Sequence, residues 1–291
     1  MINKGKKRIG GPKACVFDFI NVSVFSAICI LMIFPFVNVL CLSLEPEWIA
    51  SQTGVIHLIP RQITFEAYKA VFQNPDISHA FFNSVFVTAV GSVLSLLVTA
   101  MMAYALSVKV PGARLVGYLL VFVMTFKIDI IPQYILVKQL GLMDSLWSLI
   151  ISTLATTRNI ILMRVFFEQL PDSLRESAAL DGCNETTYFF KIALPLSKPI
   201  MATIALFYAE AHWNEFLKAT MFIQSESKKV LQVLLREILI DNVANDAAIS
   251  ITMGKNLKMA TVIVTIVPIL CVYPFLQKYF TKGIMIGAVK G

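Results

Sequence analysis

The feature that most constrains this sequence is an uninterrupted run of uncharged residues near its N-terminus. Between Asp18 and Glu45 no charged side chain occurs for 26 residues. About 20 apolar residues, rising about 1.5 Å each, are enough for a helix to cross roughly 30 Å of hydrocarbon. A secretory signal has a shorter apolar stretch, followed by a small-residue cleavage site. We therefore interpret this run as a retained membrane-spanning helix.

The composition extends this interpretation to the whole chain. Hydrophobic residues make up 57% of the 291 residues and charged residues only 15%, whereas ordinary soluble domains carry about 25% charged residues. The net charge of +7 would suggest a nucleic-acid partner for a soluble chain. Here we interpret the lysines and arginines as residues that orient helices in a membrane, and we expect no nucleic-acid partner. The five cysteines form no CxxC pair, so neither a disulfide framework nor a metal site is expected.

Six segments are long and apolar enough to cross a bilayer, which predicts an all-α membrane protein with six transmembrane helices. The distribution of Lys and Arg places the N-terminus in the cytosol, and six crossings return the C-terminus to the same side. The outer loops are then Glu45–Ser78 and Gln224–Lys258, the latter partly helical around Leu231–Ile240. The predicted domains are a basic cytosolic N-terminus (1–16), a transmembrane domain (17–280) and a cytosolic tail (281–291). The six predicted spans are Phe17–Leu44, Ala80–Ser107, Leu115–Val137, Ser145–Phe167, Pro199–Ile223 and Met259–Lys278.

The cytosolic loop between the fourth and fifth spans, residues 168–198, carries the most specific pattern. Ser173 and Glu176 stand at the spacing of a capping box after Pro171, which predicts a short helix. We expect that helix to run to about Asp181 and to end at Gly182, since glycine readily adopts the left-handed conformation that closes a helix. Asn184 or Thr186 is a candidate cap for a second short helix that ends before Pro195.

The two helices would present a compact knob to another protein. Small residues leave one side nearly bare, and the acids Glu176, Asp181 and Glu185 and the pair Phe189/Phe190 are candidate docking side chains. From these residues alone, a plain connector between two spans is an equally open interpretation.

The spacing within this loop resembles the EAA loop of ATP-binding-cassette (ABC) importer permeases. That loop has Glu-Ala-Ala, three residues, Gly, nine residues and Ile-x-Leu-Pro; here Ser177 stands where the second position usually has Ala. The residues that match or complete the motif are Glu176, Ser177, Ala178, Ala179, Asp181, Gly182, Ile192, Leu194 and Pro195.

The resemblance extends over most of the chain. Asn83-Ser84, the segment 103–107, Ile131-Pro132-Gln133-Tyr134, Leu140-Gly141-Leu142 and Trp213-Asn214 resemble the carbohydrate-uptake, maltose-permease type. Residues 192–214, 222–224, 231–239 and 273–291 are similar to permeases of the polysaccharide and lipoprotein-associated uptake systems. One departure lies at Lys127-Ile128-Asp129, where that subfamily tends to have a Gly-Gly pair.

The resemblance implies a type I ABC importer permease fold in a bacterial cell membrane. It also implies a second homologous permease, a dimer of cytosolic ATPase subunits that holds ATP and Mg²⁺, and an extracytoplasmic sugar-binding protein. In that arrangement residues 176–182 form the coupling helix that fits a groove on the ATPase, and the C-terminal tail can reach the ATPase dimer. The substrate implied is an oligosaccharide or polysaccharide.

Polar residues recur at one depth within the predicted spans. Counted from the predicted cytosolic boundary, they lie roughly 14–24 Å into the membrane. An ionised side chain that faces lipid there costs at least about 2.5–3.5 kcal/mol, so these residues should face inward. They either line the translocation path, with the Trp213 ring available to a sugar, or brace the helices through the pairs Lys127/Asp129 and Arg158 with Glu210 or Glu215. The path candidates are Lys127, Arg158, Glu210, Trp213, Asn214 and Glu215.

The sequence disfavours enzymatic function. It contains no GxxxxGK[ST] stretch, so ATP should be bound by a partner chain, and we expect no cofactor in this one. A membrane-embedded hydrolase is a second alternative, but it would need a catalytic group. The serines and histidines of the sequence show no triad arrangement that could supply one. The remaining alternative is an autonomous secondary transporter or channel that uses the mid-membrane charges as an ion relay.

Overall fold

The computed structural model describes residues 12–52, 55–108, 111–126, 129–240 and 254–288, and within these ranges the side chains between residues 17 and 271. Regular structure in the described ranges is entirely helical. A π-helical turn spans Phe189–Ala193 and a 3₁₀ turn spans Glu226–Lys228. The α-helices are α1 Pro12–Leu44, α2 Glu47–Ala50, α3 Glu66–Gln73, α4 Pro75–Ser107, α5 Ala113–Thr125, α6 Ile130–Gln139, α7 Leu146–Ser152, α8 Thr157–Phe167, α9 Asp172–Leu180, α10 Glu185–Tyr188, α11 Leu194–Leu196, α12 Lys198–Trp213, α13 Leu217–Phe222, α14 Leu231–Ile240 and α15 Lys255–Ala288.

Three of the six predicted spans lie within single long helices in the described ranges. α1 contains the first predicted span, and α4 contains the second but begins five residues earlier, at Pro75, where Asn74 accepts a hydrogen bond from the N–H of Asp76 at 2.9 Å. The helix predicted in the second outer loop is confirmed as α14, with the expected bounds Leu231–Ile240. α15 contains the sixth predicted segment and continues to Ala288, through most of the predicted tail.

The third, fourth and fifth spans are broken rather than continuous, which corrects the prediction. By length and composition, α1 and α4 can each cross a membrane, and up to five spans result if each bent pair of described helices counts as one. α7 and α8 meet at 50°, and the α10–α11 segment meets α12 at 83°. The fifth span, predicted over Pro199–Ile223, is divided into α12 and α13. Apolar periodicity shows that a segment is buried, but not where its backbone hydrogen bonds are interrupted.

The chain forms two compact units. One comprises residues 1–71 and 251–263, and its order depends on a buried carboxylate. Glu45 is fully buried; its Oε2 lies 2.7 Å from Nδ1 of His57, and its Oε1 accepts a hydrogen bond from the N–H of Arg61 at 2.9 Å. Buried charges are tolerated when paired in this way. The contacts fold the outer loop back onto the end of α1.

The other unit comprises residues 72–250 and 264–291, and its centre is α4. Small residues at Ala100 and Ala103 let α8 and α12 pack closely on the half of α4 nearest its C-terminus, around Met163, Ile204 and Tyr208. A second apolar cluster, in the N-terminal half of α4, joins Val87 to α7, α13 and the start of α14; its members include Leu149, Ile150, Phe222, Val230 and Val233. α4 therefore holds the broken helices in place from one side.

Asp144 joins the loop after α6 to the segment after α13. Its Oδ1 accepts hydrogen bonds from the N–H groups of Gln224 and Ser225 at 3.0 and 2.8 Å, and its Oδ2 lies 2.6 Å from the Ser225 hydroxyl and 2.9 Å from Nζ of Lys228. These donors, the Ser225 hydroxyl foremost, hold the pKa of Asp144 well below its usual range. Asp144 has a φ of 55°, a left-handed conformation that Asp tolerates better than most residues. We call these residues the Asp144 clamp.

Candidate functional site

The helix predicted in the cytosolic loop is confirmed as α9, and its end is closed by a Schellman motif. Gly182 has a φ of 76°. The N–H of Cys183 donates to the carbonyl of Ala178 at 2.9 Å, and the N–H of Gly182 donates to that of Ala179 at 3.0 Å. The predicted capping box is wrong: Pro171 is the cap residue, without a side-chain hydrogen bond. Because Pro171 fixes an extended entry to the helix, Ser173 lies inside the first turn instead of at the cap.

The exposed side of α9 is short, acidic and nearly free of bulk. Ala178 is buried against the protein's own core, so the motif's alanines have different environments. Leu180, which the sequence analysis did not single out, is 89% exposed at the end of the helix. Leu174 on the same helix is 39% exposed, so Leu180 is the leucine of α9 more available to a neighbouring protein. The exposed residues of the motif are Glu176, Ser177, Ala179, Asp181 and Gly182.

The second part of the loop is one kinked helical segment. Asn184 caps it by accepting the N–H of Thr187 at 2.8 Å, as predicted. The segment does not end before Pro195, because the π-helical turn precedes the proline and α11 contains it. Proline cannot donate to the preceding turn, and a π-turn is a common way to absorb such an interruption. Ile192 and Leu194 lie half-buried against the inner core, and Pro195 is exposed.

The aromatic pair of the predicted knob has two different roles. Phe189 is 5% exposed, and its ring centre lies 5.0 Å from that of Tyr104 in α4 and 6.3 Å from that of Phe167 in α8. Phe190 is 51% exposed. Phe189 therefore fixes the loop to the transmembrane helices, and only Phe190 is accessible.

Glu185 also belongs to an internal contact, although it was predicted to be a docking acid. Its Oε2 accepts a hydrogen bond from the Tyr104 hydroxyl at 2.6 Å, and its Oε1 accepts two from the Arg175 guanidinium at 2.6 and 3.0 Å. The Tyr104 hydroxyl, together with Arg175, holds the pKa of the Glu185 carboxyl below its usual range. We call these three residues the Glu185 anchor. It ties α9 and α10 to the C-terminal end of α4.

The mid-membrane candidates are dispersed, and the predicted pairing of Arg158 with Glu210 or Glu215 is wrong. The Arg158 guanidinium lies over the Phe207 ring, 5.1 Å from its centre. Glu210 accepts a hydrogen bond from the side chain of Asn214 at 3.2 Å, whereas Glu215 lies 3.5 Å from Nζ of Lys218. Lys127 lies outside the described residues, so its pairing with Asp129 stays a prediction; Asp129 caps α6.

Trp213 is 5% exposed, and its indole N–H donates to the carbonyl of Thr265 at 3.2 Å. Together with Glu210 it borders an apolar cavity of about 450 Å³. Most of its ring area is therefore covered within the chain.

The side chains that brace the membrane-spanning segments are ones that sequence reasoning missed. Between α7 and α8 the backbone leaves its helical hydrogen-bond pattern. There Lys218 Nζ donates to the Thr153 hydroxyl at 2.7 Å, and the Tyr208 hydroxyl accepts the N–H of Thr156 at 3.0 Å. Thr99 of α4 lies 2.6 Å from the same Tyr208 hydroxyl. Irregular backbone at membrane depth requires such partners, because lipid supplies none.

Comparison with known proteins shows the family to which the chain belongs. Residues 110–286 match the family described as "Binding-protein-dependent transport system inner membrane component". The chain belongs to this family. Its fold is that of an ABC importer permease: it superimposes with a TM-score of 0.87, at 30% identity, on a chain from the crystal structure of a bacterial ABC transporter involved in the import of the acidic polysaccharide alginate. That match covers 94% of this chain and 100% of the other.

Two curated relatives of this permease come from Bacillus subtilis (strain 168). The polygalacturonan/rhamnogalacturonan transport system permease protein YtcP is 40% identical over 92% of this chain and 95% of its own length. Protein LplC is 40% identical over 95% of both chains.

Membership of this family confirms the predicted family and the inner-membrane location. Permeases of this family do not hydrolyse ATP, which is the task of a separate ATPase subunit. The alternative of an autonomous secondary transporter or channel does not fit a binding-protein-dependent system.

Proposed function

We propose that this permease carries an oligosaccharide or polysaccharide across the inner membrane. The observation that carries the proposal is that almost the whole chain matches proteins that transport polysaccharides. One is a polygalacturonan/rhamnogalacturonan transport system permease, and another belongs to a transporter involved in the import of alginate. The partners we propose are a second, homologous permease, a dimer of ATPase subunits and an extracytoplasmic sugar-binding protein.

The exposed side of α9 is the surface we propose for ATPase coupling. A groove on the ATPase can approach its backbone closely because Ser177, Ala179 and Gly182 are small, and Glu176 and Asp181 supply charge at the rim. Leu180, which is 89% exposed, provides one apolar side chain that contact with the ATPase would remove from water. Closure of the ATPase dimer on ATP would then move α9, and the Glu185 anchor would pass that movement to α4.

Both termini would lie in the cytosol, on the same side as α9. The evidence is the distribution of charge: Lys4, Lys6, Lys7 and Arg8 precede α1, and Arg175, Lys191 and Lys198 lie in the loop that carries α9. The long exposed face of α1, whose side chains between Phe17 and Phe36 are exposed, suits lipid and the second permease.

The deciding experiment is co-expression with the neighbouring gene products, followed by purification in detergent and measurement of ATPase activity in the same sample. We expect a second permease and an ATPase to co-purify. We expect Glu176→Ala and Leu180→Ala to lower ATPase stimulation by the loaded binding protein about tenfold or more, since a hydrogen bond to a charged group or the burial of one leucine side chain each contributes about 1.5–3 kcal/mol.

The matched control is Glu66→Ala, which removes an exposed carboxylate from the first outer loop and should leave stimulation unchanged. A chain that purifies alone and transports sugar in liposomes without ATP would overturn the proposal.

A further inference from the structure

Two arginines of the permease lie over phenylalanine rings, and both are exposed on the chain. The Arg158 guanidinium is 5.1 Å from the centre of the Phe207 ring, and the Arg236 guanidinium is 4.5 Å from that of Phe216. In the described part of the chain neither lies within 4 Å of a carboxylate oxygen. A guanidinium over an aromatic ring is attracted by the ring face and does not use its N–H groups there, so they remain available to an acceptor.

Polar side chains connect the two arginines into one surface. On α12, Glu210 is one turn from Phe207, and it accepts a hydrogen bond from Asn214 at 3.2 Å. The Asn214 side-chain oxygen in turn lies 3.5 Å from the side-chain nitrogen of Gln232 on α14. Arg236 lies four residues after Gln232, on the same helical face. We call this surface the arginine track; its residues are Arg158, Phe207, Glu210, Asn214, Gln232 and Arg236.

The track runs outward from mid-membrane. From Phe207 to Asn214 it climbs α12 by about 10 Å, and α14 belongs to the predicted second outer loop. Charged groups that face lipid at mid-depth cost at least about 2.5–3.5 kcal/mol each. Since Arg158 and Glu210 are exposed, this face must be covered by water or by another polar molecule when the protein is in a membrane.

We propose that the arginine track is the surface along which an anionic carbohydrate moves, with Arg158 and Arg236 binding its carboxylates. The inference rests on the proposed function and deepens it by naming the substrate class and the residues that select it. A guanidinium binds a uronate carboxylate through two parallel hydrogen bonds. Asn214 and Gln232 offer amide groups to hydroxyls, and Phe207 and Phe216 offer apolar surface to the C–H face of a sugar ring. Aromatic surface with a few placed polar groups is the usual composition of such sites.

The position of Glu210 between the two arginines is consistent with a path along which an anion moves. It places one negative charge between the two positive ones, which lowers the affinity of the track for an anion. A translocation path needs binding weak enough for the cargo to leave, as in other selective membrane pathways.

The test uses the complete complex of both permeases, the ATPase and the binding protein, reconstituted in liposomes. Two probes are compared: an oligogalacturonate and a neutral oligosaccharide of the same length, each preloaded on a binding protein that accepts it. The variants are Arg158→Gln, Arg236→Gln and the charge-preserving Arg158→Lys. Arg114→Gln, an exposed arginine at the start of α5, is the matched control.

We expect each Arg→Gln variant to lower oligogalacturonate uptake about tenfold or more, the usual effect of losing a hydrogen bond to a charged group. Uptake of the neutral probe and co-purification of the second permease should not change, and Arg158→Lys should restore part of the lost uptake.

Equal loss for both probes, or loss of the second permease from Arg158→Gln, would assign the arginine to helix or subunit pairing and overturn the inference. ATP-driven uptake of the neutral probe alone by the unsubstituted complex would overturn the substrate class while the proposed transport function stands. Failure of ATP-driven uptake for both probes would instead count against the proposed function.

Discussion

At the scale of single residues, Gly91 lets the His212 ring lie against the backbone of α4. A Cβ atom at residue 91 would be 2.7 Å from Nε2 of His212, far inside van der Waals contact. His212 is 3% exposed, so its ring has little room to move. We expect Gly91→Ala to lower the free energy of unfolding by about 1–3 kcal/mol, the usual cost of overpacking a core. Thermal unfolding of the detergent-purified complex would measure this.

Gly117→Ala is the matched control, because a Cβ at residue 117 on α5 would be 3.4 Å from Nη1 of Arg164, an ordinary contact. Alanine favours a helix over glycine by roughly 0.5–1 kcal/mol, so this variant should unfold at the same temperature or slightly higher. An unchanged unfolding temperature for Gly91→Ala would show that the His212 ring shifts freely.

Lys218 is the residue whose loss should most affect the break between α7 and α8. It donates to the Thr153 hydroxyl at 2.7 Å and lies 3.5 Å from Glu215. Lys218→Met removes both contacts and leaves Glu215 without its cation. We expect a loss of about 1–3 kcal/mol in the free energy of unfolding. Lys69→Met, which changes an exposed lysine of α3, is the control and should leave the unfolding temperature unchanged. Equal unfolding temperatures for the Lys218→Met and Lys69→Met variants would contradict the bracing role of Lys218.

The contact of Lys218 with Glu215 also shows that the sequence alone did not predict which charged residues pair. Counting residues from the predicted boundaries placed Arg158 and Glu215 in one polar layer, which predicted that they pair. The partner of Glu215 is instead Lys218, three residues further along the chain. Because α12 ends at Trp213, Glu215 lies beyond the helix that carries Glu210. The choice of partner depends on a helix break, and a continuous apolar pattern carries no signal for one.

At the scale of elements, the Glu185 anchor should make the attachment of the 168–198 loop to α4 depend on pH. The Tyr104 hydroxyl and Arg175 hold the pKa of Glu185 below its usual range. A lowered pKa in the folded state stabilises the protein at pH values above the unfolded value, about 4.3, and this contribution disappears as pH falls through the lowered one. Glu185→Gln should therefore unfold at a lower temperature than the unsubstituted protein at pH 7, and this difference should diminish below about pH 4.3.

Thermal unfolding of both proteins between about pH 7 and pH 3.5 measures the difference. Glu66→Gln, the same change on an exposed outer-loop residue, serves as the control. A difference between Glu185→Gln and the unsubstituted protein that stays constant over the whole range would show that the carboxylate charge does not stabilise the loop.

The form of the 168–198 loop was predictable where backbone chemistry decides it. Gly182 ends α9 and Asn184 starts the next helix, because each residue type is suited to that position. The π-turn before Pro195 and the burial of Phe189 were not predictable. The π-turn absorbs the backbone interruption at Pro195, and the burial of Phe189 follows from packing against Tyr104 and Phe167, which are distant in sequence.

At the scale of the whole molecule, the predicted topology places the two ends of the α7–α8 segment on opposite sides of the membrane. Lys138, exposed at the end of α6, precedes this segment, and Gln169, exposed after α8, follows it. Cytosolic loops carry an excess of Lys and Arg, and Arg175, Lys191 and Lys198 follow Gln169 in the loop that carries α9. Lys138 should therefore lie outside the cell membrane and Gln169 inside.

Single cysteines at these two residues, in a variant without the five native cysteines, test this arrangement. A membrane-impermeant thiol reagent should label Lys138→Cys in spheroplasts, and should label Gln169→Cys only after lysis. The bend of 50° between α7 and α8 allows one other arrangement, a re-entrant hairpin whose two ends lie on the same side. Equal labelling of both cysteines before lysis would establish that hairpin. It would also move α9 to the outer face, where no ATPase could reach it.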